Sequence, residues 1–136
     1  MPLVRIDLAE VYDESQAASI ASAIHDAIVE VLRIPVRDRF QIVNRLPAAG
    51  IIAEDAGLGF ERSSGVVMVQ IFTQRGRSSE TKRELFAAIA ASLSAVGVAG
   101  EDVFIGYQEN GPDDWSFGFG RAQYMTGELR IPQVSN

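Results

Sequence analysis

The chain begins Met1-Pro2, and a proline at this position could take part in chemistry. Proline lacks a backbone N–H and is tolerated where a strand starts, so structure alone can explain the opening "PLVRIDL". If Met1 is removed, as is usual before a small residue, Pro2 becomes a free secondary amine. Such an amine can exchange protons or attack a carbonyl carbon. Pro2 is therefore a candidate catalytic residue.

A pair of arginines in "QRGR" could bind a small anion. Arg75 and Arg77 are two residues apart, so an extended strand end would direct both side chains to the same side. Gly76 between them would let the backbone approach a ligand closely. Guanidinium groups form two-point hydrogen bonds to carboxylates. The motif also fits a solvated turn between strand and helix, but together with Pro2 it favours a carboxylate-binding site.

An aspartate in "PVRDRFQ" starts the second predicted strand. Asp38 has two interpretations, as a structural group paired with Arg37 or Arg39, or as a carboxylate that moves a proton or activates water. The single histidine, His25, lies beside the apolar stripe of a predicted helix. We expect it to be a partly buried structural residue.

The C-terminal stretch "DDWSFGFGRAQYMTGEL" combines aromatic residues with glycines. Its aromatic residues are Trp115, Phe117, Phe119 and Tyr124. Such a segment is usually a packing or interface element. It could also form the apolar wall of a pocket, where electrostatic contacts are stronger than in water.

The composition limits the possible functions. The chain has 136 residues, which fits a single domain over 1–136, with a formal net charge of −6, no cysteine and one histidine. The negative charge argues against nucleic acid and membrane surfaces as partners. The cysteine and histidine counts exclude disulfides and thiolate sites and make a histidine metal cluster implausible. No apolar run of about 18 residues occurs, so we expect a cytoplasmic protein.

The elements that must position these residues form a repeated pattern. In the first half, "LVRIDL" alternates like a strand, "DESQ" can cap a helix, and "RFQIVNRL" predicts a second strand. In the second half, "GVVMVQIF", "SSETKRELFAAIAASLSAV" and "DVFIGYQE" predict the same order. A shift of 65 residues aligns Ile20 with Leu85 and Ile24 with Ile89, and a shift of 64 aligns Asp38 with Asp102. The pseudo-repeats run from about 2–46 and 66–110.

The repeat predicts the fold and brings the candidate residues together. We expect an α/β (α+β) fold with a duplicated β-α-β unit, a four-stranded mixed sheet and two helices on one face, followed by the aromatic and glycine-rich segment. A pseudo-twofold axis would make the first strands of the halves antiparallel neighbours, so Pro2 would approach Arg75 and Arg77. The uncovered face of the sheet predicts oligomerisation.

The chain resembles the tautomerase superfamily, and most closely the malonate semialdehyde decarboxylase family. The similarity lies in "PLVRIDL", "IHDAIVEVL", "PVRDRFQ", "AEDAGLGFERSS", "QRGRSSETK" and "DWSFGFGRAQYMTGEL". The resemblance implies Pro2 as the catalytic proline, Asp38 as the assisting aspartate, and Arg75 and Arg77 as the carboxylate-binding arginines. It also implies a hydrophobic substrate-binding wall, a homotrimer, and no metal or organic cofactor. The implied wall residues are Trp115, Phe117, Tyr124 and Leu129, where Tyr124 replaces a phenylalanine found in some members.

The family implies the cofactor-independent decarboxylation of a small β-oxo acid such as malonate semialdehyde to acetaldehyde and CO₂, with hydratase side activity. Another enzyme of the superfamily is an alternative, either a hydratase or dehalogenase of three-carbon unsaturated acids or a phenylpyruvate-type tautomerase. A third possibility is a non-catalytic binding protein that keeps the fold.

Overall fold

The computed structural model describes residues 1–132 and contains the predicted repeat of strand, helix and strand. The elements are β1 (Leu3–Ala9), α1 (Glu14–Leu32), β2 (Phe40–Leu46), β3 (Val67–Gln74), α2 (Ser79–Ala95), β4 (Val103–Asn110) and the short α3 (Gln123–Thr126). This order confirms the predicted fold.

The four strands form one mixed sheet in the order β2-β1-β3-β4. β1 is parallel to β2, and β3 is parallel to β4. β1 and β3 are antiparallel neighbours, with Leu3 opposite Phe72 and Leu8 opposite Val67. The start of β1 therefore lies beside the end of β3, as the pseudo-twofold relation predicted.

Both long helices begin at the predicted caps. Asp13 accepts a hydrogen bond from the Gln16 backbone N–H at 2.8 Å, and the Gln16 side chain accepts from Asp13 N at 2.8 Å, which forms a capping box. Ser78 caps α2 by accepting from Thr81 N at 3.1 Å. Within residues 1–132, no helix is long and apolar enough to cross a membrane.

The helices cover one face of the sheet and leave the other face open. Alternate residues of β1 and β3, including Ile6 and Ile71, are fully buried with Ile24 of α1 and Ile89 of α2 in one core. Phe40, Ile42 and Phe104 lie on the opposite face, by the alternation of side chains along a strand. These three side chains are 42%, 46% and 49% exposed. The open face is therefore partly apolar.

Candidate active site

The start of β1 brings an amine and a carboxylate together. The terminal amine in the structure is that of Met1, and its nitrogen lies 3.8 Å from Asp38 Oδ2. Pro2 is buried next to it. Asp38 is 6% exposed, and its Oδ1 has no hydrogen-bond partner among residues 1–132. Such a buried, half-satisfied carboxylate is costly for folding and is typical of a functional group.

A short loop between α1 and β2 carries Asp38. The Asp38 N–H donates to Pro35 O at 3.0 Å. His25, buried on α1 as expected, has its Nε2 at 2.7 Å from Val36 O. A carbonyl oxygen only accepts, so Nε2 is the donor. The histidine therefore contacts the loop that carries the candidate catalytic carboxylate.

Arg77 is the buried cation of the site. It is 9% exposed, and its Nη1 donates to Thr73 Oγ1 at 3.2 Å and Gln74 O at 3.4 Å. Thr73 is fully buried at the end of β3. The position of Arg77 next to this strand end is the one the repeat predicted.

Arg75 lies in a different environment, because "QRGR" is not extended. β3 ends at Gln74, and Gly76 has a φ of 128°, a conformation that favours glycine. The Arg75 N–H donates to Asn110 O at 2.7 Å, and its side chain is exposed beside Gly111. The prediction that both arginines project to one side of an extended strand end is therefore wrong. Their shared role in binding a carboxylate stays a prediction.

Burial controls the titration of the groups at the site. It lowers the pKa of the terminal amine, which Arg77 also lowers and Asp38 raises. Burial raises the pKa of Asp38, against the lowering effects of the terminal amine, His25 and Arg77. Both shifts disfavour the charged forms and bring the two pKa values closer together, which helps proton transfer between an acid and a base.

Tyr124 completes the polar part of the site. Burial, with a contribution from Asp38 and against the effect of Arg77, raises the pKa of its phenol to about 12. The Tyr124 hydroxyl is buried and, within the described chain, has no hydrogen-bond partner. A neutral phenol with a free O–H can donate to an oxygen of a bound ligand.

Three of the aromatic residues predicted for the wall cluster around Phe117. Its ring centroid lies 5.9 Å from that of Trp115 and 5.2 Å from that of Tyr124. Phe40 joins the cluster at 6.0 Å from Phe117. Phe40 was not predicted from the sequence, although its place two residues after Asp38 offered a signal. Phe119 is 92% exposed and lies outside the wall.

Gln123 ties the wall together, and no sequence signal identified it. Its Oε1 accepts from Phe117 N at 2.9 Å, and its Nε2 donates to Gly118 O at 2.9 Å. Its own carbonyl accepts from the N–H of Leu129 at 3.1 Å. Leu129, the fourth predicted wall residue, is partly buried. Trp115 is held separately, by a 2.9 Å bond from its Nε1 to Asn110 Oδ1.

The polar groups of the site suit organic acid–base chemistry on a small anion. An amine, a carboxylate, a buried guanidinium and a phenol lie beside an apolar wall. Over residues 1–132, no three or more His, Asp or Glu side chains are grouped so that they could hold a metal ion.

Comparison with known proteins identifies the family. A family model described as "Tautomerase enzyme" matches residues 38–118, and a second with the same description matches residues 2–61. The chain is 39% identical to the probable tautomerase YrdN of Bacillus subtilis (strain 168), over 95% of this chain and all of that protein.

Two solved structures match nearly the whole chain. A malonate semialdehyde decarboxylase inhibited by 3-bromopropiolate is 61% identical over 96% of this chain and 99% of that one, with a TM-score of 0.93. A second, 35% identical over 93% of this chain and 98% of that one, has a TM-score of 0.88. It comes from a set of wild-type, mutant and inactivated malonate semialdehyde decarboxylase structures described as a basis for decarboxylase and hydratase activities.

More distant likeness shows the fold alone. A symmetric trimer of wild-type fused 4-OT is 23% identical over 92% of this chain and 98% of that one, with a TM-score of 0.74. Together these findings confirm the resemblance noted in the sequence. The chain belongs to the tautomerase superfamily and is close to the malonate semialdehyde decarboxylase family.

Proposed function

We propose that this member of the tautomerase superfamily is a cofactor-independent decarboxylase that converts a small β-oxo acid such as malonate semialdehyde to acetaldehyde and CO₂. The observation that carries the proposal is the meeting of an amine, Asp38 and Arg77 at one strand end beside an aromatic wall. The identity of 61% with a malonate semialdehyde decarboxylase supports this choice of substrate class.

The proposed catalytic amine is that of Pro2 after removal of Met1. In the structure the Pro2 nitrogen is part of a peptide bond, and the Met1 amine lies near Asp38. Removal of one residue gives Pro2 the terminal amine at the same buried strand end. Burial there disfavours the charged form of an amine.

Arg77 and Arg75 bind the carboxylate of the substrate. Binding there turns the bond to be broken toward alignment with the π-system of the aldehyde, which is a positioning effect. The electrons of that C–C bond move toward the aldehyde carbon and oxygen as neutral CO₂ leaves. The apolar wall favours the loss of a neutral molecule from an anion.

Pro2 can stabilise the electrons released from the C–C bond in one of two ways. A protonated Pro2 can hydrogen-bond to the aldehyde oxygen and stabilise the enolate. Alternatively, the neutral amine can form an iminium, releasing the water that hydrolysis later takes up. In both routes a proton is added to carbon to give acetaldehyde, and Asp38 and Pro2 are the groups that handle protons. The same two groups would activate water in the hydration of acetylenic acids, the proposed side activity.

The proposed assembly is a homotrimer, supported by the partly apolar open face of the sheet around Ile42 and Phe104. Its burial against other copies would remove this surface from water. Sedimentation should give a mass three times that of the chain. A stable monomer at micromolar concentration would contradict the assembly.

Another activity of the superfamily is the main competing proposal, because the curated relative is described only as a probable tautomerase. A hydratase or dehalogenase of three-carbon acids, or a phenylpyruvate-type tautomerase, would also use Pro2. Arg75 and Arg77 favour a small carboxylate over an aromatic keto acid. A binding protein without catalysis would not need a free Pro2 amine.

Proton NMR of one substrate panel separates these proposals. The panel contains malonate semialdehyde, 3-haloacrylates, acetylenic acids and phenylpyruvate, and mass spectrometry of the protein first establishes whether Met1 is absent. We expect acetaldehyde from malonate semialdehyde as the fastest product. A preparation that retains Met1, or whose Pro2 nitrogen has been alkylated, is the matched control and should be folded but inactive. Full activity of that control would contradict the role of Pro2, and faster turnover of another substrate would overturn the proposed reaction.

A further inference from the structure

We propose that His25 is a positioning residue that holds Asp38 at the site by anchoring the loop between α1 and β2 to the helix. The role of Asp38 in turnover rests on the proposed function, but the anchoring itself does not. His25 is 5% exposed, and its Nε2 donates to Val36 O at 2.7 Å. Val36 is two residues from Asp38.

Other polar contacts also tie this loop to the rest of the chain, among them a 3.4 Å bond from Arg39 Nη2 to Ser22 Oγ of α1 and the 3.8 Å contact of Asp38 Oδ2 with the terminal amine. Among the described residues, the bond from His25 is the one hydrogen bond that a side chain makes to the backbone of residues 33–38. The remaining backbone bond, from Asp38 N to Pro35 O, lies within the loop and does not tie it to the rest of the chain. The Val36 side chain is 69% exposed, so its carbonyl rather than its side chain connects the loop to the protein.

Two features of the loop favour its movement away from this position. Its first residue, Arg33, has a φ of 54°, a conformation that residues with a side chain rarely adopt. Asp38 is buried with Oδ1 unpartnered, so hydration would draw the carboxylate toward solvent. Ile34, which is 6% exposed, packs the end of the loop next to α1 into the core. Its apolar side chain offers no hydrogen bond that could hold Asp38. The His25 bond to Val36 O opposes outward movement of the part of the loop that carries Asp38.

The sequence supplies only one histidine, so NMR can observe it without ambiguity. Nitrogen-15 spectra of the whole protein should show that Nε2 carries a hydrogen, with a coupled proton protected from exchange. A ring whose Nε2 is unprotonated would overturn the proposal, because it could not donate to a carbonyl. This measurement needs no substrate, so its failure is distinct from failure of the proposed function.

Two substitutions separate positioning from stability. His25→Gln keeps an amide nitrogen that can reach Val36 O, whereas His25→Leu fills similar space without a donor. In His25→Leu we expect exchange of the Asp38 amide hydrogen to become about tenfold faster, since the loop opens more often. His25→Gln should restore the wild-type exchange rate to within about threefold. Equal rates in wild type and His25→Leu would overturn the proposal.

Kinetics provide the second readout. On the substrate turned over in the NMR panel, kcat of His25→Leu should fall about tenfold with little change in KM, and His25→Gln should recover most of the loss. Ile24→Val is the matched control, because it weakens the packing of the same helix and leaves the bond from His25 to Val36 O in place. The same fall in kcat for Ile24→Val would show that lost stability, rather than lost positioning, lowers the rate.

Discussion

The internal repeat gives the central β1–β3 strand pair two ends with equivalent residues and different environments. The site end contains the start of β1 and the end of β3, with Asp38 and Arg77. The closed end contains the start of β3 and the end of β1, with Asp102 and Tyr12. The shift of 64 residues relates the two aspartates, and the shift of 65 residues relates Tyr12 to Arg77.

At the closed end Asp102 and Tyr12 find hydrogen-bond partners in the segment that precedes β3. Asp102 accepts from Ser63 N at 2.7 Å and also from the Ser63 hydroxyl. The Tyr12 hydroxyl donates to Gly65 O at 2.6 Å. Gly65 fits so closely that a Cβ there would lie 2.7 Å from the Tyr12 hydroxyl. This end is closely packed around the Tyr12 hydroxyl.

At the site end the equivalent groups are incompletely paired. Asp38 has only the 3.8 Å contact of Oδ2 with the terminal amine, and its Oδ1 has no partner among residues 1–132. Arg77 replaces the tyrosine and brings a buried positive charge. The equivalent aspartates of the two repeats can therefore have different roles. A carboxylate whose oxygens both accept hydrogen bonds, as in Asp102, holds a loop in place. A carboxylate with an unpartnered oxygen, as in Asp38, can bind a ligand or move a proton.

We expect the largest effect from a substitution of Arg77. This arginine stands at the site end where the closed end has Tyr12. Arg77→Ala should lower kcat/KM by roughly 10²–10³-fold, because a buried charge is lost where we propose that the substrate carboxylate binds. Both kcat and KM should be affected. Arg77→Lys should not restore the rate fully, since an ammonium group cannot form two parallel bonds. Steady-state kinetics on malonate semialdehyde measure this loss.

Tyr12→Phe is the counterpart at the closed end. It should lower the free energy of unfolding by about 1 kcal/mol through the lost bond to Gly65 O, with kcat/KM within about twofold of wild type. If Tyr12→Phe reduced turnover as strongly as Arg77→Ala, this would contradict the proposed functional difference between the two ends.

The second prediction tests the packing of the closed end. Gly65→Ala should lower the free energy of unfolding by about 1–3 kcal/mol, because the added Cβ overlaps the Tyr12 hydroxyl and crowds Ser63. Gly100→Ala is the control, since a Cβ there meets nothing within 4 Å. Urea denaturation should show a lower midpoint for Gly65→Ala alone. Equal midpoints for the two variants would indicate that the closed end is not tightly packed.

The third prediction compares the two aspartates. Asp102→Asn should lower the free energy of unfolding by about 1–2 kcal/mol, because an amide cannot accept both bonds from Ser63. Asp38→Asn should instead raise it by about 1 kcal/mol at neutral pH while turnover falls. Thermal unfolding and kinetics of both variants test this contrast, and destabilisation by Asp38→Asn would contradict it.

The pH dependence of the Asp38 effect follows from the raised pKa. Burial raises the pKa of Asp38 in the folded state above its unfolded value, so its protonated form favours folding. That contribution is fully present below the unfolded pKa of about 3.9 and is lost as the pH rises through the folded pKa. The stability gained by Asp38→Asn should therefore shrink as the pH is lowered toward about 4.

The smallest expected effect separates the two arginines of the site end. Arg75→Ala should reduce kcat/KM by only about threefold to tenfold, because an exposed cation interacts weakly with a bound anion. Added salt should reduce this difference, since exposed charges are screened. A loss as large as that of Arg77→Ala would mean that Arg75 turns inward when substrate binds.

The repeat, the starts of the two long helices and the proximity of Pro2 to Arg77 could all be predicted from the sequence. These features follow from short-range periodicity, from the capping residues Asp13 and Ser78, and from the antiparallel pairing that a pseudo-twofold axis imposes. The composition of the C-terminal stretch marked Trp115, Phe117 and Tyr124 as a possible apolar wall, and the resemblance to a family implied that they bind substrate.

Which of the equivalent residues have hydrogen-bond partners depends on the tertiary structure. Ser63 reaches Asp102 across 39 residues of sequence, and Tyr12 reaches Gly65 across 53. The turn at Gly76 separates a buried Arg77 from an exposed Arg75, although the sequence places them two apart. Local patterns fix the direction of a strand or helix, but hydrogen bonds and burial between distant residues depend on how those elements pack.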